Sequence, residues 1–168
     1  MWRRLDRDIR AVLSARTGRR VRPLAWGRTE DDQWCVALPD RLVWGHGNDW
    51  RELLWHHVGH GGWNAELRQL RWTTVDGRPG TLRLREVGQL PDAFIDRVNA
   101  TIVARERIDI DGTDDGVVIS GRRNLADPDA PLLWRATPMR GTRLSDPEVA
   151  ARVDHALERV RAEYDISG

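Results

Sequence analysis

The chain has no lysine, one cysteine, one phenylalanine, one tyrosine and no long apolar run. A lone cysteine, Cys35, cannot close an internal disulfide, so a reducing, cytoplasmic setting is expected. Set between Trp34 and Val36 in a strand-like run, it reads as a buried structural thiol rather than a nucleophile. No apolar stretch approaches the roughly 18–20 residues of a membrane helix. The segment Met1–Asp8 carries arginines with no apolar block behind them, which is not the pattern of a secretory signal. An excess of one charge is also missing: 27 basic residues, all arginine, face 26 acids, for a net charge of +1. Nucleic-acid binders usually show a basic surplus or stripe. Here the densest basic pieces, residues 16–22 and 121–124, read as solvated loop ends. The all-arginine usage reads as codon bias of a GC-rich genome rather than as chemistry.

What the chain has instead is tryptophan: nine, at positions 2, 26, 34, 44, 50, 55, 63, 72 and 134. With so few other large apolar residues, most of these indoles are expected to fill a core. One or two left exposed would mark a contact surface. A length of 168 residues fits a single domain, spanning 1–168, that needs no metal or disulfide staple.

Periodicity orders the elements. Trp2, Leu5, Ile9, Val12 and Leu13 fall on one helical face, ended by Thr17-Gly18. Strand-like runs follow at 21–29, 33–38, 41–45 and 50–58, with Glu30-Asp31-Asp32 as a polar turn and Gly59-His60-Gly61-Gly62 as a breaker. Residues 66–75 and 81–87 alternate around Asp76-Gly77, which reads as an antiparallel hairpin with one wet face. A second helix after Leu90-Pro91 carries a stripe of Phe94, Ile95, Val98, Ile102 and Val103. Three strands near 108–110, 116–120 and 132–137 lead to a last helix, capped by Ser145-Asp146-Pro147-Glu148. Residues 124–131 read as a mobile loop. The order predicts an α+β fold with mostly antiparallel pairing.

The segments Trp34–Trp44, Leu53–Val58 and Leu67–Trp72 resemble bacterial PH-like and GRAM-like domains. The whole chain is similar to a group of uncharacterised actinobacterial proteins with an N-terminal helix, tryptophan-bearing strands and a terminal Asp-Pro-Glu helix. The resemblance implies a bent antiparallel PH-like β-barrel or sheet over about 21–104, closed by a capping helix over 91–104. A C-terminal extension over about 105–168 adds a hairpin plus helix. The sequence departs from the family in showing six strands before the capping helix, where seven are expected. Phosphoinositide-binding members place basic residues in the loop joining the first two strands. Here that loop is Thr29-Glu30-Asp31-Asp32, whose acids repel an anionic head group, so lipid binding is not carried over.

Residue chemistry offers few sites. His56, His57 and His60 are weak metal candidates, because a 56/60 pair shares a helix face only if the segment is helical, and its glycines oppose that. His46, Glu52, Cys35 or Glu66 would have to complete the ligand set. Asp109, Asp111, Asp114 and Asp115 look like a calcium loop but lack the closing glutamate. No nucleophile motif and no phosphate-cradling glycine loop is present, so neither catalytic residues nor a cofactor are expected. The expected function is a non-enzymatic binding or scaffolding module with a protein partner. The alternative is nucleic-acid or ribosome association through Arg68, Arg71, Trp72, Arg83 and Arg85, where arginine and indole interleave. A metal-dependent enzyme is the distant third.

Overall fold

A computed structural model describes residues 4–110, 116–139 and 141–166. The chain forms two compact units, Met1–Thr101 with Asn124–Pro128, and Ile102–Arg123 with Asp129–Gly168. Together they make an α+β protein built on antiparallel sheets, as the order of patterns predicts.

The first unit opens with helix α1, Arg7–Thr17. Asp6 caps it by accepting from the Asp8 N–H, and Gly18 ends it in the left-handed conformation at φ 72°. Seven strands follow: β1 Ala25–Thr29, β2 Trp34–Ala37, β3 Arg41–His46, β4 Asp49–Leu54, β5 Val58–Asn64, β6 Gln69–Thr74 and β7 Pro79–Glu86. They pair antiparallel in the order β4-β3-β2-β1-β7-β6-β5, and the sheet curls into a half-barrel. The curl brings Trp44 of β3 and Trp72 of β6 to 5.6 Å between ring centroids, although three strands lie between them in the sheet order. Helix α2, Leu90–Ala100, lies on the concave face.

Strand alternation sorts the side chains. The concave face presents Cys35, Ala37, Leu42, Leu53, Leu70 and Leu84 to Trp55, Leu90, Phe94 and Val98. Trp55 is fully buried, and its indole N–H donates to the Leu38 carbonyl at 2.8 Å, so burial leaves no orphan donor. Phe94 meets Trp55 edge-on at 5.6 Å and Trp72 at 6.2 Å. The convex face of β2–β4 presents Val36, Val43 and Trp50 to Leu5, Leu13 and Val21. These strands are therefore covered on both sides.

The histidine-glycine stretch expected to break the chain is strand β5, so seven strands precede α2 rather than six. The run expected over 50–58 divides at a one-turn 3-10 helix, Trp55–His57. Glycine suits β5 because the strand lies close to α2. A Cβ on Gly61 would stand 2.7 Å from the Phe94 ring. The second correction concerns α2, which stops at Ala100 and does not include Ile102 or Val103. The β-branched run Thr101-Ile102-Val103 loses χ1 freedom in a helix and continues as strand instead. Within the helix, Ile95 is exposed and only Phe94 and Val98 of the expected stripe are buried. At the N-terminus, α1 begins at Arg7, Val12 faces outward, and Trp2 lies outside the described residues. Leu125, in the stretch expected to be a mobile loop, packs against the concave core.

In the second unit, β8 Ile102–Asp109, β9 Gly116–Arg122 and β10 Leu133–Pro138 form a three-stranded sheet in the order β10-β9-β8. The expected hairpin is thus a three-stranded meander. Helix α3, Pro147–Ile166, starts where Asp146 accepts from the Glu148 N–H at 3.0 Å. Its Val149, Val153 and Leu157 pack on Val117, Ile110 and Ala136. Arg159 of α3 pairs with Glu106 of β8, and the Tyr164 hydroxyl donates to the Val103 carbonyl at 2.8 Å.

Candidate functional site

Most large apolar side chains of the first unit are buried, so those left open mark a surface worth explaining. The convex side of β1 carries such a group. Leu24 is 47% exposed, and Trp26 and Trp34 are half-buried beside it. They line a groove of about 700 Å³ together with Arg28, Arg85, Glu86 and Gln89. Register explains the grouping: Trp26 stands opposite Val36 and Arg28 opposite Trp34, so both indoles sit on the convex face. α1 covers this face farther along, through Leu13 on Val36 and Val43, and leaves the β1 end open.

Charge organises the groove wall. The Arg28 guanidinium lies 4.4 Å from the centre of the Trp34 ring, a cation–π contact. Asp32, held at φ 63° in the β1–β2 turn, accepts from Arg28 at 2.8 Å and from Arg85 at 2.7 Å. The hydrogen bond from Arg28, followed by that from Arg85, holds the Asp32 carboxyl below its usual range. Glu30 lies 3.8 Å from Arg83. The acidic turn that opposes lipid binding in the sequence therefore has a local task, which is to neutralise arginines arriving from β7.

That pairing bears on the five residues proposed to contact nucleic acid. Arg71, Arg83 and Arg85 are exposed on the convex face of β6–β7. Trp72 points the other way, into the concave core, where it is 8% exposed and stacked against Trp44 and Phe94. Arg68 precedes β6 at φ 50° and donates to the Arg85 carbonyl at 2.7 Å. Arg71 donates to the Gln69 side chain. The interleaving seen in the sequence thus splits between two faces, and the indole is not available to stack a base from the arginines' side.

The histidines do not converge. His56 and His57 share the 3-10 turn with ring centroids 4.3 Å apart, while His60 is exposed on β5 opposite Thr73. Among the described residues, no three of His, Cys, Asp and Glu gather as a metal-binding group. Cys35 is fully buried in the concave core, and burial pushes its thiol pKa up. Glu52 is engaged by Arg41 at 2.9 Å. His46 ends β3 and Glu66 lies in the β5–β6 turn. His56 is 8% exposed with Nδ1 buried and unbonded among the described residues. Burial first, and the neighbouring His57 second, lower its pKa. Asp109 ends β8 and pairs with Arg107, whereas Asp111, Asp114 and Asp115 lie outside the described residues.

A second opening, about 510 Å³, lies at the half-barrel mouth over Trp44 and Trp72. Its rim mixes Asp31 and Asp49 with Arg51 and Arg78, so no ligand charge is selected. An exposed indole was the expected mark of a contact surface, but among the described residues no indole is exposed, and Trp26 and Trp34 are half-buried. The available signal was that Trp26 and Trp34 lie on strands flanking one short turn, which antiparallel pairing makes neighbours. Among the described residues no helix is long and apolar enough to cross a membrane. Comparison with known proteins finds no matching family model, no similar curated protein and no similar solved structure.

Proposed function

We propose that the chain is a non-enzymatic binding module of PH-like type whose ligand is a protein segment docking at Leu24, Trp26 and Trp34. Seven antiparallel strands followed by a helix on the concave face support the PH-like reading, since they supply the strand the sequence lacked. The observation that carries the binding site is the open Leu24–Trp26–Trp34 groove with Arg28 stacked on an indole. Aromatic and arginine side chains dominate the energetics of protein interfaces, because they bury much area and bring a polar handle. Leu24 donates its backbone N–H to the Ala37 carbonyl at 2.8 Å, so its backbone is fixed while its side chain is free to be covered.

The test compares affinity purification from the native cell, after nuclease treatment, with wild type and Leu24→Asp as baits. Leu24 is exposed, so the substitution leaves the fold intact, as circular dichroism would verify. A protein partner retained by wild type and depleted at least tenfold by Leu24→Asp is expected, with wild-type thermal stability in the variant. Partners retained equally by both baits would overturn this site.

A further inference from the structure

In the second unit α3 covers one face of the sheet, and the other is open along its edge strands β8 and β10, around a buried centre of Ser120 and Arg122. Val117 and Ala136 contact α3, so strand alternation turns their neighbours to the opposite face. Those neighbours include Arg105 and Arg107 of β8, Ser120 of β9, and Arg135 and Thr137 of β10. Register aligns them into rows. Arg105 stands opposite Ser120, and Ser120 opposite Arg135. Arg107, Val118 and Thr137 form the next row. Two exposed arginines thus flank the buried Ser120 across three strands, roughly 10 Å apart at the backbone, with a third about 7 Å along β8.

Linear sequence hides this cluster. In Arg105-Glu106-Arg107 the glutamate alternates to the helix side, where Arg159 takes it. Asp109 shares the open face and pairs with Arg107 at 3.1 Å, but it is 83% exposed, and so open a pair adds little. No carboxylate among the described residues pairs with Arg105 or Arg135. Arg122, in the row beyond Arg105, is buried and stands opposite Leu133. Its pKa is lowered by burial first and by the charge of Arg105 second.

We propose that the open face of β8–β10 binds the phosphate backbone of a nucleic-acid duplex through Arg105, Arg107 and Arg135. Guanidiniums match phosphate oxygens bidentately. A duplex fits better than a single strand because this face offers no aromatic platform: Trp134 turns to the helix side, edge-on to Tyr164 at 5.9 Å. Contact is therefore with the backbone, without base readout.

The test is fluorescence anisotropy of labelled mixed-sequence DNA and RNA duplexes titrated at increasing potassium chloride. Three phosphate contacts predict a slope of about −3 in log affinity against log salt, each arginine removed lowering it by about 1. Arg105→Ala/Arg107→Ala/Arg135→Ala is expected to lose at least tenfold in affinity at low salt. The corresponding lysine triple variant keeps most of the binding and serves should the alanine variant fail to fold. Arg71→Ala/Arg83→Ala/Arg85→Ala leaves the slope unchanged. The proposal is overturned by wild type that binds no duplex at low salt, or by loss confined to the Arg71 set. Binding to phosphatidylserine vesicles lost in the Arg105 set, with no duplex binding, would overturn it in favour of a membrane surface.

Discussion

The two units solve the problem of burying a sheet differently, and the difference decides what each leaves on its surface. The first curls seven strands and fills the concavity with indoles and Phe94, then covers part of the convex face with α1. Of the described tryptophans only Trp134 belongs to the second unit, whose core is Val117, Val149 and Val153 under one helix. Both units carry arginines on an open strand face. In the first, Glu30 and Asp32 reach from the β1–β2 turn to Arg83 and Arg85. In the second, the glutamate that separates Arg105 from Arg107 is drawn to the helix side by Arg159. Arginine content therefore says little about a surface until the position of the neighbouring acids is known.

The largest effect separating the units lies in their cores. Phe94→Ala removes a fully buried ring wedged between Trp55 and Trp72 and is expected to cost about 3–5 kcal/mol. Val153→Ala in the second core is expected to cost only about 2 kcal/mol, since two methyl groups leave a smaller void. Urea denaturation of both variants measures the gap, and equal losses would mean that the indole-filled core is no more tightly packed than the aliphatic one.

A smaller effect tests the neutralisation argument. Glu30→Gln/Asp32→Asn frees Arg28, Arg83 and Arg85 without burying anything, so stability should move by less than about 1 kcal/mol. In the Arg105→Ala/Arg107→Ala/Arg135→Ala background the two changes should create duplex binding at low salt, with a salt slope steeper by about 2. An unchanged slope would show that those acids do not mask the β7 arginines.

The smallest effect is pH-dependent. His56 has a pKa below its unfolded value, so the unfolded chain binds the extra proton and stability rises with pH. Its contribution is complete above pH about 6.5 and declines as acid approaches the folded-state value. The urea midpoint of wild type should fall more between pH 7.5 and 5 than that of His56→Gln. Parallel profiles would show that the imidazole ionises as readily in the fold as out of it.

Much of the architecture could be read from local pattern. The glycine cap of α1, the Asp76-Gly77 hairpin and the capped start of α3 are local signals, and each appears where its residues predict. β5 was illegible because its glycines satisfy a distant demand, the approach of Phe94, rather than any preference of their own. The end of α2 turned on three β-branched residues whose apolar spacing continued the helical stripe. The groove at Leu24 was not legible, because its exposed residue is a leucine and its two indoles are half-buried.

The sequence by itself determined the α+β class, most of the element types apart from β5 and the end of α2, and the supply of tryptophan to fill a core, because hydrophobic period and turn chemistry act over a few residues. Tertiary structure alone decided that Asp32 reaches Arg85 and that Arg105 lines up with Arg135 across Ser120. Those relations join residues dozens of positions apart, and only the curl and register of the sheets set the distances on which charge and contact depend.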